Sequence, residues 1–131
     1  MNTGSPSRMR RAKSSEHQEQ VAVIAWWRLA CKGYSLPEFA LFAIPNAAKR
    51  SYALASYLKA EGLRAGIPDL FLAVPRPTFP GAGAFIEMKV LPNKPTAAQQ
   101  ESLSWLEKVG YATMVCYSAD HAITAIKTYL K

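Results

Sequence analysis

Three ionisable residues stand where apolar strands are expected. The stretches GIPDLFLAV, residues 66–74, and FIEMK, residues 85–89, each have the composition of a buried strand, yet they carry Asp69, Glu87 and Lys89. Charges at such positions are costly unless they are paired or bound to a metal. Alternation along a strand puts Glu87 and Lys89 on one face with Phe85, and Ile86, Met88 and Val90 on the other. If the two strands pair, Asp69 approaches Glu87. Two carboxylates about 4 Å apart repel by roughly 4 kcal/mol at an effective dielectric of about 20. Lys89 offsets one charge, and a hard divalent cation such as Mg²⁺ would bind both carboxylates through oxygen. Such a group suits phosphodiester hydrolysis, in which a metal polarises the phosphate and lowers the pKa of a bound water. Lys89 would orient or activate that water, or stabilise charge developing on the phosphate. Taken alone, a bare Glu-x-Lys reads better as an ordinary salt bridge on a solvated strand face. Its weight comes from the residues around it.

The elements that must position these residues follow from local signals. Residues 1–14 are polar, basic and expected to be disordered. Ser15 with Gln18 three residues on matches a capping box, opening a helix through EHQEQVAVIAWWRLACK with Gly33 as its C-cap. Residues 39–44 predict a strand stopped by Pro45 and Asn46, and residues 48–61 a helix with Leu54, Tyr57, Leu58 and Glu61 at helical spacing and Gly62 beyond. Strands are predicted over 69–74, with Pro68 tolerable at the start, over 84–91, and over 111–117. Thr96 caps a helix through Val109 ended by Gly110, and Ser118 caps the last helix. The order is that of an α/β chain with a mixed sheet of about four strands flanked by helices. Strand 84–91, helix 97–109 and strand 111–117 are expected to form a right-handed parallel crossover.

Composition bounds what this fold can be. With 131 residues, half of them hydrophobic, one domain over 15–131 with one core is the expectation. No apolar run approaches the roughly 18 residues of a membrane span, and no signal-peptide core follows the basic N-terminus. The acid-free, Arg- and Ser-rich start faintly suggests a transit peptide but lacks an apolar face. Cys31 and Cys116 lie far apart in apolar settings and read as reduced core residues of an intracellular protein. Two Cys and two His give no zinc spacing. A net charge of +7 and a pI of about 9.6 point to a polyanionic partner, most simply nucleic acid. Four of the cations, Arg8, Arg10, Arg11 and Lys13, belong to the arm, and +7 less these four is +3.

Pro68-Asp69 with Glu87-Met88-Lys89 resembles the PD-(D/E)XK nuclease signature. The wider pattern resembles the VRR-NUC family, the virus-type replication-repair nucleases, through SEHQEQVAVIAWW, FAIPNAAKR, KAEGLRAGIPDLFL, FIEMKV and NKPTAAQQESLSWLEKVGY. These stretches cover nearly everything from residue 15 to 117, and the chain most resembles the compact stand-alone members found in phages and prophages. The resemblance implies a restriction-endonuclease-like fold and a metal-dependent DNA endonuclease, using Mg²⁺ or Mn²⁺ and no small-molecule cofactor. It further implies structure-selective cleavage of branched DNA such as four-way (Holliday) junctions, by a homodimer, in DNA repair. The setting would be the cytoplasm of a bacterial cell or of a phage-infected host, away from the membrane. By analogy Asp69 and Glu87 would be metal ligands together with the Met88 carbonyl, and Lys89 the catalytic lysine.

Glu16 matches the family's N-terminal glutamate, which completes the acidic site, with Glu19 a rival for the role. Gln99 matches the family's glutamine. Plainer readings stand beside these. Gln99 completes a capping box with Thr96, a role compatible with the first, and Glu16 suits the first turn of any helix. Gln20, one turn on from Glu16, supports the site or is merely solvated. His17 and His121 read as surface or capping residues, and Trp26, Trp27 and Trp105 as core aromatics. Ala47 and Ala48 stand where many relatives carry two glycines after the Asn, so no catalytic role passes to Asn46. Phosphate contacts outside the arm fall to Lys49, Arg50, Arg64, Arg76 and Lys94. The rival readings are a non-catalytic DNA-binding module retaining the fold, and a nuclease acting on linear DNA ends or RNA.

Overall fold

The computed structural model describes residues 14–45, 51–76, 78 and 80–131. Among these, the elements run α1 (Glu16–Ala30), two 3₁₀ turns (Cys31–Tyr34 and Glu38–Ala40), β1 (Leu41–Ala43), α2 (Tyr52–Ala60), β2 (Leu70–Leu72), β3 (Ala84–Met88), α3 (Ala97–Lys108), β4 (Ala112–Cys116) and α4 (Ala119–Tyr129). The four strands form one mixed sheet in the order β1-β2-β3-β4. The first two pairings are antiparallel and β3–β4 is parallel, as the crossover through α3 requires. This is the α/β architecture with a mixed four-stranded sheet that the sequence pattern predicts.

The pleat sorts the sheet into two faces. Leu70, Leu72, Ile86 and Met88 point one way and are fully buried with Val23, Trp27 and Ile126 of α1 and α4. Trp27 is 1% exposed and its indole N–H donates to the Glu38 carbonyl at 2.8 Å, so burial leaves no polar atom without a partner. Removing that ring would cost about 3–5 kcal/mol. On the opposite face Phe42, Phe71 and Phe85 stand in one cross-strand row, with Phe71 and Phe85 4.4 Å apart between centroids. The next row along this face contains Glu87.

Helix starts follow the sequence. Ser15 with Gln18 and Thr96 with Gln99 form complete capping boxes, and Ser118 accepts from the His121 N–H. Glycines 62 and 110 take positive φ just past their helices. The ends of α1 and of the strands differ from expectation. Helix α1 stops at Ala30 and continues as a 3₁₀ turn, so the left-handed residue is Ser35 (φ 57°) rather than Gly33. The predicted strand at 39–44 is a 3₁₀ turn followed by three strand residues, and the predicted strand at 69–74 pairs only over Leu70–Leu72. An apolar run continues as strand only while a neighbour supplies hydrogen bonds, and β1 offers β2 three partners. Likewise β3 ends at Met88 rather than at residue 91. Helix α2 begins at Tyr52; the first residues of the predicted helix, with Asn46, Ala47, Ala48, Lys49 and Arg50, lie outside the described residues, as do residues 1–13. Trp105 is not a core aromatic but 59% exposed, because α3 turns Leu103 inward instead. Both cysteines are free and buried, and no described helix is long and apolar enough to cross a membrane.

Candidate active site

The antiparallel register decides where the acids meet. Leu70 pairs with Ile86, so one step on, Asp69 stands across from Glu87. The ladder reaches this row on the β1 side too, since the Ile44 N–H donates to the Asp69 carbonyl at 2.8 Å. Asp69 Oδ2 accepts from the Met88 N–H at 2.7 Å, so the carboxylate replaces the strand bond that β2 would otherwise supply. One residue's N–H and C=O project to the same edge of a strand. The Met88 carbonyl therefore points to the same side as the N–H held by Asp69.

Glu87 is 1% exposed and Lys89 8% exposed, which rules out a solvated strand face. Glu87 Oε1 accepts from Gln99 Nε2 at 2.7 Å and lies 3.7 Å from Lys89 Nζ. Burial pushes the Glu87 carboxyl up to about 8, with the Asp69 charge adding to the effect and Lys89 opposing it. Burial likewise raises Asp69, against the lowering influence of the Met88 N–H. Once Glu87 is ionised, its Oε2 is a buried oxygen with no donor in reach. Lys89 is fixed from behind, its backbone N–H donating to the Cys116 carbonyl at 2.9 Å.

Gln99 makes the capping-box contact foreseen for it and also reaches Glu87. Its Oε1 accepts from the Thr96 N–H at 2.8 Å in the capping box, while its Nε2 reaches Glu87. The structure also separates the two N-terminal glutamates. Glu16 lies near enough for its charge to raise both Asp69 and Glu87. Glu19 instead accepts from Ser14 Oγ at 2.6 Å and from the Ala119 N–H at 3.0 Å, capping α4, and these bonds hold its carboxyl below the usual range. Gln20 lines a groove with His17, Val21 and Arg28. His121 accepts from the Tyr117 N–H at 3.1 Å, a capping role.

Among the described residues no three His, Cys, Asp or Glu side chains converge as a ready-made ligand group. Two carboxylates, one of them with a buried oxygen that has no donor, and a backbone carbonyl on the same side nevertheless fit a hard cation that retains several waters. They offer no nitrogen or sulfur for a softer metal.

Of the cations foreseen as phosphate contacts, Arg64 and Lys94 are exposed. Lys49 and Arg50 lie outside the described residues. Arg76 is corrected. Its Nη1 donates to the Tyr129 carbonyl at 3.0 Å, its Nε to Thr78 Oγ1 at 2.9 Å, and its guanidinium lies 4.8 Å from the Tyr129 ring centroid, so it fastens the end of α4. The sequence reading overlooked Ser102 and Gly66, which join α3 to the approach of Asp69. Ser102 follows Gln99 by three residues, so helical spacing alone places them on one face.

Comparison with known proteins agrees with this fold. The family model for the VRR-NUC domain matches residues 8–120. A solved structure described as a VRR_NUC domain protein is 29% identical, with a TM-score of 0.72 over 89% of this chain and 88% of its own. No curated protein matches the sequence.

Proposed function

The chain belongs to the VRR-NUC family, and from that premise we propose that it is a Mg²⁺- or Mn²⁺-dependent endonuclease that cleaves DNA phosphodiester bonds. The nuclease-type, DNA-processing character comes with the family. The observation that carries the finer reading is the half-buried Asp69 beside the buried Glu87, held by separate donors, with Lys89 beside Glu87 and one Glu87 oxygen without a donor.

Asp69, Glu87 and the Met88 carbonyl would hold the cation, with Glu16 at the margin. When bound, such an ion polarises a phosphate oxygen and lowers the pKa of a coordinated water. The protein's own part is positional. The Met88 N–H fixes Asp69, and Gln99 fixes one oxygen of Glu87 and leaves the other free. Lys89 brings a buried ammonium to the same pocket, where it orients the attacking water or stabilises charge on the phosphate. Arg64 and Lys94, with the basic residues at 8–13 and 49–50, would grip the backbone.

The substrate in this reading is branched DNA such as a four-way junction, cut by a homodimer whose two-fold axis matches that of the junction. Exposed Val21, Leu29 and Phe39, at 53, 84 and 79%, supply apolar surface for self-association. The test is a panel of labelled linear, flap and four-way-junction DNAs, and RNA, incubated with and without Mg²⁺ or Mn²⁺. Junction cleavage that vanishes with chelator is expected. Binding without cleavage in any metal would make the protein a DNA-binding module instead. Preference for RNA or linear ends would move the substrate class.

A further inference from the structure

We propose that Ser102 and Gly66 form a positioning pair that sets the spacing of the two carboxylates from a common helix. The inference rests on the metal-site reading above. Asp69 and Glu87 arise from different strands, yet both are tied to the first two turns of α3. Glu87 is held there by Gln99. The approach to Asp69 is held three residues upstream, where the Gly66 carbonyl accepts from the Ser102 hydroxyl. That hydroxyl also lies 3.0 Å from the Gln99 carbonyl, so its single proton serves either its own helix or the Gly66 loop.

The contact at Gly66 is close as well as polar. Gly66 has φ +87°, and a Cβ there would lie 2.9 Å from Ala98 Cβ and 3.0 Å from the Ala98 carbonyl carbon. Only a glycine lets the loop rest on the helix at this point. Between Gly66 and Asp69 stand Ile67 and Pro68, and Pro68 is fully buried with its φ fixed by the ring. A shift at Gly66 is therefore passed along a short, stiff link to the Asp69 carboxylate. Ser102 touches neither carboxylate. It acts through the Gly66 backbone, so that one helix fixes both sides of the pocket.

Calorimetric titration of the full chain with Mn²⁺, without DNA, tests this on Ser102→Ala, Ser102→Thr and Ser104→Ala. Ser102→Ala should weaken Mn²⁺ binding about three- to tenfold, the range that one hydrogen bond spans. Ser102→Thr, which keeps the hydroxyl, should restore most of it, and Ser104→Ala, at an exposed position of the same helix, should match wild type. Thermal melts in chelator accompany the titrations. A lower melting temperature for Ser102→Ala with unchanged Mn²⁺ affinity would mean a packing role alone and overturns the proposal, as does failure of Ser102→Thr to restore binding. Gly66→Ala provides a second route and should weaken Mn²⁺ at least as much; a folded Gly66→Ala protein with wild-type affinity overturns it too. Wild-type protein that takes up no Mn²⁺ defeats the metal-site reading and this inference together. Wild-type uptake with an unchanged Ser102→Ala curve defeats the inference alone.

Discussion

Glu87 and the surface cations are held in opposite ways. Glu87 is 1% exposed, bonded by Gln99 from α3 and set against Asp69 from the neighbouring strand. Arg64 and Lys94 are exposed and take part in no salt bridge among the described residues. The chain carries +7, but six of its cations lie at positions 8, 10, 11, 13, 49 and 50, outside the described residues; the described part is thus close to neutral, +7 less six. Among the described residues no large excess of charge accompanies the pocket. Its chemistry is concentrated in a few residues with fixed partners, whereas attraction to a polyanion is spread over many weak contributions. Loss of one pocket group should be severe and insensitive to salt, and loss of one peripheral group should be slight and sensitive to it.

The sharpest break between the two regions would come from Asp69→Asn and Glu87→Gln. Each should lower single-turnover cleavage by more than the roughly 100-fold that outer-shell partners of a metal reach, with DNA affinity within about twofold of wild type because neither carboxylate grips phosphate directly. Lys89→Ala should lower cleavage about 10²–10⁴-fold while sparing Mn²⁺ affinity, since an ammonium is no ligand. If DNA affinity measured by fluorescence anisotropy fell in step with cleavage, pocket and periphery would not be separate.

Next in size is a pH effect confined to the pocket. With its folded-state carboxyl raised to about 8 by burial, metal-free protein holds a proton on Glu87 that the unfolded chain, at its ordinary 4.5, has released. Between those values folding takes up a proton, so this contribution to stability is full below about 4.5 and is lost as pH rises through 8. Melting temperature in chelator should decline over that window in wild type. Glu87→Gln should flatten the decline, and Mn²⁺ should protect increasingly as pH rises. A wild-type slope no steeper than that of the Gln variant would mean that Glu87 is not desolvated.

Deleting residues 1–13 probes the periphery. It should leave saturating single-turnover rates intact and weaken affinity. The log–log salt slope should fall by roughly 3–4 at most, since each phosphate contact is worth about 0.9 and the segment holds four cations. Normal binding with no cutting by a folded truncation would place chemistry in that segment. The smallest effect separates two arginines that look alike in the sequence. Arg76→Ala should cost about 1–2 kcal/mol of stability through its lost contacts with Tyr129 and change DNA affinity little. Arg64→Ala should do the reverse, with no measurable stability loss and a small, salt-dependent drop in binding.

Local patterns were the legible part. Both capping boxes involve residues three apart, so Ser15–Gln18 and Thr96–Gln99 could be read directly. Asp69, Glu87 and Lys89 stood out because charge in an apolar strand needs a reason. The illegible part depended on distant docking. Glu16 and Glu19 differ by one turn of helix, and what separates them is the Ala119 N–H, a hundred residues further along the chain. Arg76 needed Tyr129, 53 residues on, to be recognised as a fastening. Trp105 shows the same dependence, because amphipathic spacing does not say how much of α3 the sheet will cover. Strand lengths failed for a related reason: hydrophobicity continues past the point where pairing stops, as at Val74 and Val90.

Cys116 closes edge strand β4 behind the pocket. Its carbonyl holds the Lys89 N–H, and its thiol is fully buried and pushed up to about 11 by burial. Such a sulfur is protonated at neutral pH and out of reach of an alkylating reagent. Labelling must await an opening of the core around β4, and where β4 itself parts from β3 the backbone of Lys89 is freed. With Cys31 replaced, the alkylation rate of the one remaining thiol becomes a clock for how often the core behind the pocket opens, and it runs without substrate, metal or turnover.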